Sequence, residues 1–160
     1  MDFLVIGSSI AFIAYILATI AVVTRLFHPK GPNLQLVLCL AAVAITVHAL
    51  NDAQLFFSSQ SINFSLPNVI SLVSLVITLT VTLVALKYKV NLLLPVVYGF
   101  AGIWQLCIIF IPPIESIPLA VEKLILLSHI GVALIAYCIL TIATLYAFQV
   151  TYINYKLKLV

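Results

Sequence analysis

Leu34-Gln35-Leu36-Val37-Leu38-Cys39-Leu40-Ala41-Ala42-Val43-Ala44-Ile45-Thr46-Val47-His48-Ala49-Leu50 is apolar almost throughout, and it runs directly into Asn51-Asp52. A helix needs about 20 residues to cross ~30 Å of hydrocarbon at 1.5 Å rise each. Four other stretches share this character. The expected spans cover residues 3–25, 34–57, 67–87, 92–111 and 118–152. The breaks between them carry charge, proline or glycine: Arg25 to Pro32, Ser58 to Ser65, Lys87-Tyr88-Lys89, and Ile111-Pro112-Pro113-Ile114-Glu115. Hydrocarbon tolerates none of these without compensation, so each break reads as a connection between spans.

Charge then orients the chain. Arg25, Lys30, Lys87, Lys89, Lys156 and Lys158 all follow spans one, three and five, and Lys123 is the one base on the other side. The positive-inside rule predicts an external amino terminus and a cytoplasmic carboxy terminus. Asp2, Asp52, Glu115 and Glu122 fall at the external ends, which agrees but carries little topological weight. With 65% apolar and 7% charged residues, a soluble domain and a disordered segment are both excluded. The net charge of +3 sits in small groups beside spans rather than on one face, which is not a nucleic-acid signature. The expected fold is an all-α membrane protein, a five-span transmembrane helical bundle forming a single domain over residues 1–160. The first span lacks a basic n-region and a small-residue cleavage site, so it is expected to remain as a span.

Sites of chemistry are few. There is no Gly-rich phosphate loop, no Ser/His/Asp arrangement, no HExxH and no paired intramembrane carboxylate, so no enzyme is expected. Cys39, Cys107 and Cys138 lie in three different spans without CxxC spacing and read as small buried side chains. Ser71, Ser74, Thr78 and Thr82 form a hydroxyl row on the third span, expected to bond back to their own backbone carbonyls. Tyr98, Trp104 and Gln105 on the fourth span are candidates either for a ligand edge or for packing.

Two histidines lie within spans. His48 sits ~21 Å along the second span from Leu34, and His129 lies ~9 to 16 Å below the outer surface in the fifth. They reach similar depth from opposite directions. An intramembrane imidazole must be paired, ligating or facing a wet cavity, which makes each a candidate site. On a helical wheel, His129 heads a stripe of Ala133, Ala136, Leu140, Ala143 and Ala147, while Ala44 and Ala41 lie behind His48. Such low-relief faces either admit a neighbouring helix or leave room for something flat. Two imidazoles opposed across that room would suit the axial positions of haem iron, with ordinary interhelical hydrogen bonding as the other reading. His28, among loop bases, reads as a solvated residue.

Asn68-Val69-Ile70-Ser71-Leu72-Val73-Ser74-Leu75, Leu92-Leu93-Leu94-Pro95-Val96-Val97-Tyr98, His129-Ile130-Gly131, Tyr137 and Leu145-Tyr146-Ala147-Phe148-Gln149 resemble the YpjD-like inner-membrane proteins, within the wider cytochrome c assembly family that includes CcsA and CcmC. The resemblance runs along essentially the whole chain. It implies a multi-pass protein of the bacterial inner membrane that binds or handles haem b in cytochrome c assembly or its regulation. It further implies that His129, with Tyr137 eight positions on, is an external-side haem ligand; His48 matches a second-span histidine of such relatives without a known haem role. The tryptophan-rich haem motif of the transporting members is absent, since Trp104 stands alone. Relatives of this kind also continue for further spans, so the chain is expected to be a shortened member or a piece of a longer one, with partner ligands in the missing spans. The competing expectation is a non-haem membrane scaffold that docks a partner through its small-residue faces; a solute transporter is weaker, because no span is broken at mid-membrane.

Overall fold

A computed structural model describes residues 2–26, 28–29, 31–57, 63, 65–88, 91–112 and 124–158. Five α-helices account for nearly all of them: α1 Asp2–Val23, α2 Leu34–Phe57, α3 Leu66–Ala85, α4 Leu93–Phe110 and α5 Leu124–Lys158. All five are long and apolar enough to cross a bilayer. There is no strand among the described residues. The first four helices lie within about two residues of the expected spans, α5 runs six residues past the expected end at 152, and residues 118–123, the expected opening of the fifth span, lie outside the described residues.

The connections follow from local chemistry. Gly31 turns the chain between α1 and α2 with φ of +68°, a left-handed value that residues with a Cβ rarely adopt, and its N–H donates to the His28 carbonyl at 2.8 Å. Proline in the first turn of α3 removes an N–H that the helix start would leave unpaired anyway. The Asn63 side chain accepts from the Ser65 N–H at 3.0 Å, and Asn68 donates back to the Asn63 carbonyl at 3.1 Å, so the entry to α3 is pinned on both sides.

Helices α1 to α4 close into a ring, α1 against α2, α2 against α3, α3 against α4 and α4 against α1. Close approach comes from small side chains. Ala11 and Ala18 on α1, Ala41 and Ala44 on α2, and Ala101 on α4 are completely buried. Without water inside the bilayer to drive association, tight van der Waals contact of this kind and interhelical hydrogen bonds hold the helices together. Helix α5 lies outside the ring against α3 and, over a shorter stretch, α4. Only 6% of its apolar window is buried, against 28 to 44% for the other four. Cys138, Ile142 and Leu145 are the α5 side chains that join the core. Its 35 residues span ~52 Å, longer than the hydrocarbon thickness, so one end continues beyond it.

Candidate functional site

The core of the four-helix ring is polar at one level. Ser8 from α1, His48, Asn51 and Asp52 from α2, Ser71 from α3 and Gln105 from α4 are each 3% exposed or less. Spacing delivers them to one place: His48 and Asp52 are one turn apart on α2, and Ser8 and Tyr15 are two turns apart on α1.

Ser71 is the hub. Its Oγ lies 2.6 Å from Asp52 Oδ1, 3.0 Å from His48 Nε2 and 3.2 Å from Gln105 Nε2. A hydroxyl offers one donor and two acceptors, so three partners saturate it. The Gln105 Nε2 can only donate, which leaves the single O–H to point at either Asp52 or His48. On the far side of the ring, His48 Nδ1 meets the Tyr15 hydroxyl at 3.1 Å, with the rings edge to face at 5.9 Å. Asp52 Oδ2 stands 3.5 Å from His48 Nε2, beyond hydrogen-bond reach for a strong contact. A second branch runs from Asn51, whose Nδ2 donates to Ser8 Oγ at 3.2 Å and, at 3.5 Å, towards Gln105 Oε1. Gly7 makes this branch possible, because a Cβ there would collide with the Asn51 amide. Deeper, Tyr15 stacks at a tilt on Tyr98, 6.0 Å between centroids, and Tyr98 pairs with Thr82 at 2.9 Å.

The hydroxyl row divides as its chemistry dictates. Ser74, Thr78 and Thr82 donate to the carbonyls of Ser71, Ser74 and Thr78, as expected. Ser71 turns inward to side chains instead, and Thr82 adds the Tyr98 hydroxyl to its backbone bond. Tyr98 and Gln105 are packing and network residues, completely buried, while Trp104 is half-buried with no hydrogen-bond partner for its Nε1 among the described residues.

The fold thus assembles Ser71, His48 and Asp52, which the sequence did not announce as a set. It is not a nucleophilic triad. In that arrangement the carboxylate orients the imidazole from one nitrogen while the hydroxyl meets the other. Here the hydroxyl and the carboxylate both address Nε2, Nδ1 goes to Tyr15, and no part of the hydroxyl is exposed.

The two candidate haem ligands are placed very differently. His48 is fully buried with both ring nitrogens engaged, and the small residues behind it, Ala41 and Ala44, are filled by packing rather than left open. His129 lies on α5, exposed, with no hydrogen bond to any described residue. Of the stripe it heads, Ala136, Leu140, Ala143 and Ala147 are exposed as well, on the side of α5 away from Cys138. The structure therefore does not bring His48 and His129 together around a common space: equal depth along two helices did not mean facing positions.

These features define a polytopic helical membrane protein whose inner ring is sealed by a polar layer and whose last helix is largely open. Along 151 residues the chain is 37% identical to the inner membrane protein YpjD of Escherichia coli, in strain K12 and equally in strains O6:H1 and O157:H7. The match takes in 93% of this chain and 57% of the relative, so the chain spans a little over half the length of the curated relatives it matches. No family model and no solved structure matches it. The chain is an integral, multi-pass inner-membrane protein similar to YpjD.

Proposed function

We propose that the chain is a non-catalytic, haem-handling part of an inner-membrane protein in cytochrome c assembly or its regulation, with His129 as its ligand. The observation that carries this is the placement of His129: an imidazole within an apolar span, exposed and without a partner among the described residues, at the head of an open face of small side chains. An unpaired intramembrane imidazole is costly unless something takes it up. The resemblance to cytochrome c assembly proteins supplies the nature of that partner.

The fit to haem b is one-sided. His48 does not fit, because ligation would break its bonds to Tyr15 and Ser71 inside a packed core. His129 would offer one imidazole nitrogen to such a group, and Ala133 and Ala136 on its face would leave a flat group unobstructed. Bound there, haem would bring a redox-active iron, while this chain's residues orient and shield one side of it. A second ligand and an opposite wall would have to come from outside the described residues. Arg25, Lys30, Lys87, Lys89, Lys156 and Lys158 support an external amino terminus and a cytoplasmic carboxy terminus, which puts His129 in the outer half of the bilayer.

The alternative, a scaffold without haem, is favoured by a groove of about 780 Å³ between α3 and α5, lined by Val81, Val84, Ile142, Ala143 and Tyr146 among others, which suits another helix. A visible absorption spectrum of the detergent-purified protein after haem supplementation separates the two. Reduced-minus-oxidised Soret and α bands that shift in His129→Ala and persist in His28→Ala support the ligand role; a colourless protein, or an unaltered low-spin spectrum in His129→Ala, overturns it.

A further inference from the structure

A cavity lies one helical turn from the buried polar layer. At the end of the bundle where α1 begins, a cavity of about 340 Å³ is bordered by Leu4 on α1, Leu55 on α2, Asn68 on α3 and Ile108 on α4. Each of these lies three or four residues from a member of the layer: Leu4 from Ser8, Leu55 from Asp52, Asn68 from Ser71 and Ile108 from Gln105. One helical turn, about 5 Å, therefore separates the floor of this vestibule from the layer on all four helices at once. Gln54 and Asn63 also line it, so it can hold water.

The hub below is built to hold its hydrogen bonds in two ways. In one, Asp52 Oδ1–H donates to Ser71 Oγ, Ser71 O–H donates to His48 Nε2, and His48 Nδ1–H donates to the Tyr15 oxygen. In the other, His48 Nε2–H donates to Ser71, Ser71 donates to an Asp52 carboxylate, and Nδ1–H still donates to Tyr15. Gln105 Nε2 supplies the second donor to Ser71 in both. The two forms contain the same protons and the same net charge, but the first is uncharged at every group and the second is a carboxylate–imidazolium pair. In passing from the first to the second, the Asp52 O–H bond breaks as a new O–H forms on Ser71, and the original Ser71 O–H breaks as an N–H forms on His48. No bond of the network is lost, and the contacts of 2.6 and 3.0 Å are short enough for the transfer.

We propose that Asp52, Ser71 and His48 form a proton-exchange site, loaded with solvent protons from the vestibule above Asp52, in which Ser71 passes one proton between Asp52 Oδ1 and His48 Nε2. Its surroundings leave it the only acid–base pair of the described core. In contact with it are Tyr15 from α1 and Gln105 from α4, with Tyr98 from α4 stacked behind Tyr15, while Cys138 is the titratable side chain that α5 brings to the neighbouring apolar cluster. No lysine or arginine is buried among the described residues. The site is independent of the haem reading, since neither Asp52 nor Ser71 touches α5's open face.

The test uses the full chain in nanodiscs. With four acidic residues in all, the variant D2N/E115Q/E122Q leaves Asp52 as the one carboxyl side chain. On transfer to D2O, infrared spectroscopy follows the Asp52 carboxyl band, assigned by its loss in Asp52→Asn, and nitrogen-15 NMR follows His48 Nε2. Both are expected to exchange at one common rate; Leu55→Trp, which fills the vestibule, slows that rate severalfold, and Val84→Trp at the far end leaves it unchanged. Ser71→Ala splits the signals into two rates, whereas Ser71→Thr keeps them joined. A carboxyl that never exchanges, or two separate rates in the parent protein, overturns the proposal whatever the variants do. A common rate that survives in Ser71→Ala overturns the role of Ser71, and a rate indifferent to Leu55→Trp overturns the entrance.

Discussion

Gly7→Ala should be the most damaging single-methyl change in the ring, and its cost can be worked out from the contacts. The added Cβ collides with the Asn51 side-chain amide, which is held by Ser8 and Gln105 and has nowhere to retreat. Overpacking a filled interior costs about 1–3 kcal/mol. Displacing Asn51 also loses its two hydrogen bonds, each worth about 0.6 kcal/mol between membrane helices. Against this stands a gain of about 0.5–1 kcal/mol from replacing glycine by alanine within a helix. The net expectation is a loss of about 1–4 kcal/mol. Other glycines calibrate the measurement. At Gly102 a Cβ would meet the Tyr15 Cβ at 3.2 Å, tight but not colliding, so the cost should be smaller. At Gly99 and Gly131 nothing lies within 4 Å, and alanine should be neutral or slightly stabilising. Reversible unfolding in mixed micelles with graded denaturing detergent gives the ranking. A double-mutant cycle with Asn51→Ala adds a sharper check, because removing the amide removes the obstacle and should abolish most of the Gly7→Ala penalty. Gly7→Ala as stable as Gly99→Ala, or a penalty unchanged in the Asn51→Ala background, would refute the account of how α1 meets α2.

Three further outcomes follow from the same structure. His48→Ala should destabilise the bundle by about 2–4 kcal/mol, because it opens a cavity and strands Ser71 and Tyr15, whereas His129→Ala should leave unfolding unchanged; equal effects would mean that His129 is structural. Ala18→Leu and Ala41→Leu, at fully buried contacts, should abolish assembly, while Ala136→Leu on the open face of α5 should leave the isolated protein folded; a comparable loss of folded protein at Ala136 would show that the face is covered. Reporter fusions after Lys30, Lys89 and Lys158 should read cytoplasmic and those near Ser61 and Ser116 external, and an external signal at Lys89 would remove the orientation.

The number, type and rough limits of the helices were legible in the sequence because the bilayer imposes a simple one-dimensional rule: about 20 apolar residues, then a polar break. Leu34 to Leu50 satisfied it unaided, and so did the back-bonding of Ser74, Thr78 and Thr82, which depends only on residues one turn away. Depth along a helix was legible too, and it singled out His48 and His129. What the sequence did not contain was azimuth between helices. Two residues at equal depth can point at each other or apart, and only the closing of α1 to α4 into a ring turned His48 inward to Tyr15 and Ser71 while α5 stayed outside with His129 exposed. The same closing joined Ser8, Asn51, Asp52 and Gln105, of which only the His48–Asp52 spacing on one helix carried a local signal. A polar side chain in an apolar span reveals that it needs a partner; which partner it finds is decided by packing, where a glycine at position 7 and alanines at 18, 41 and 101 set how closely the helices approach.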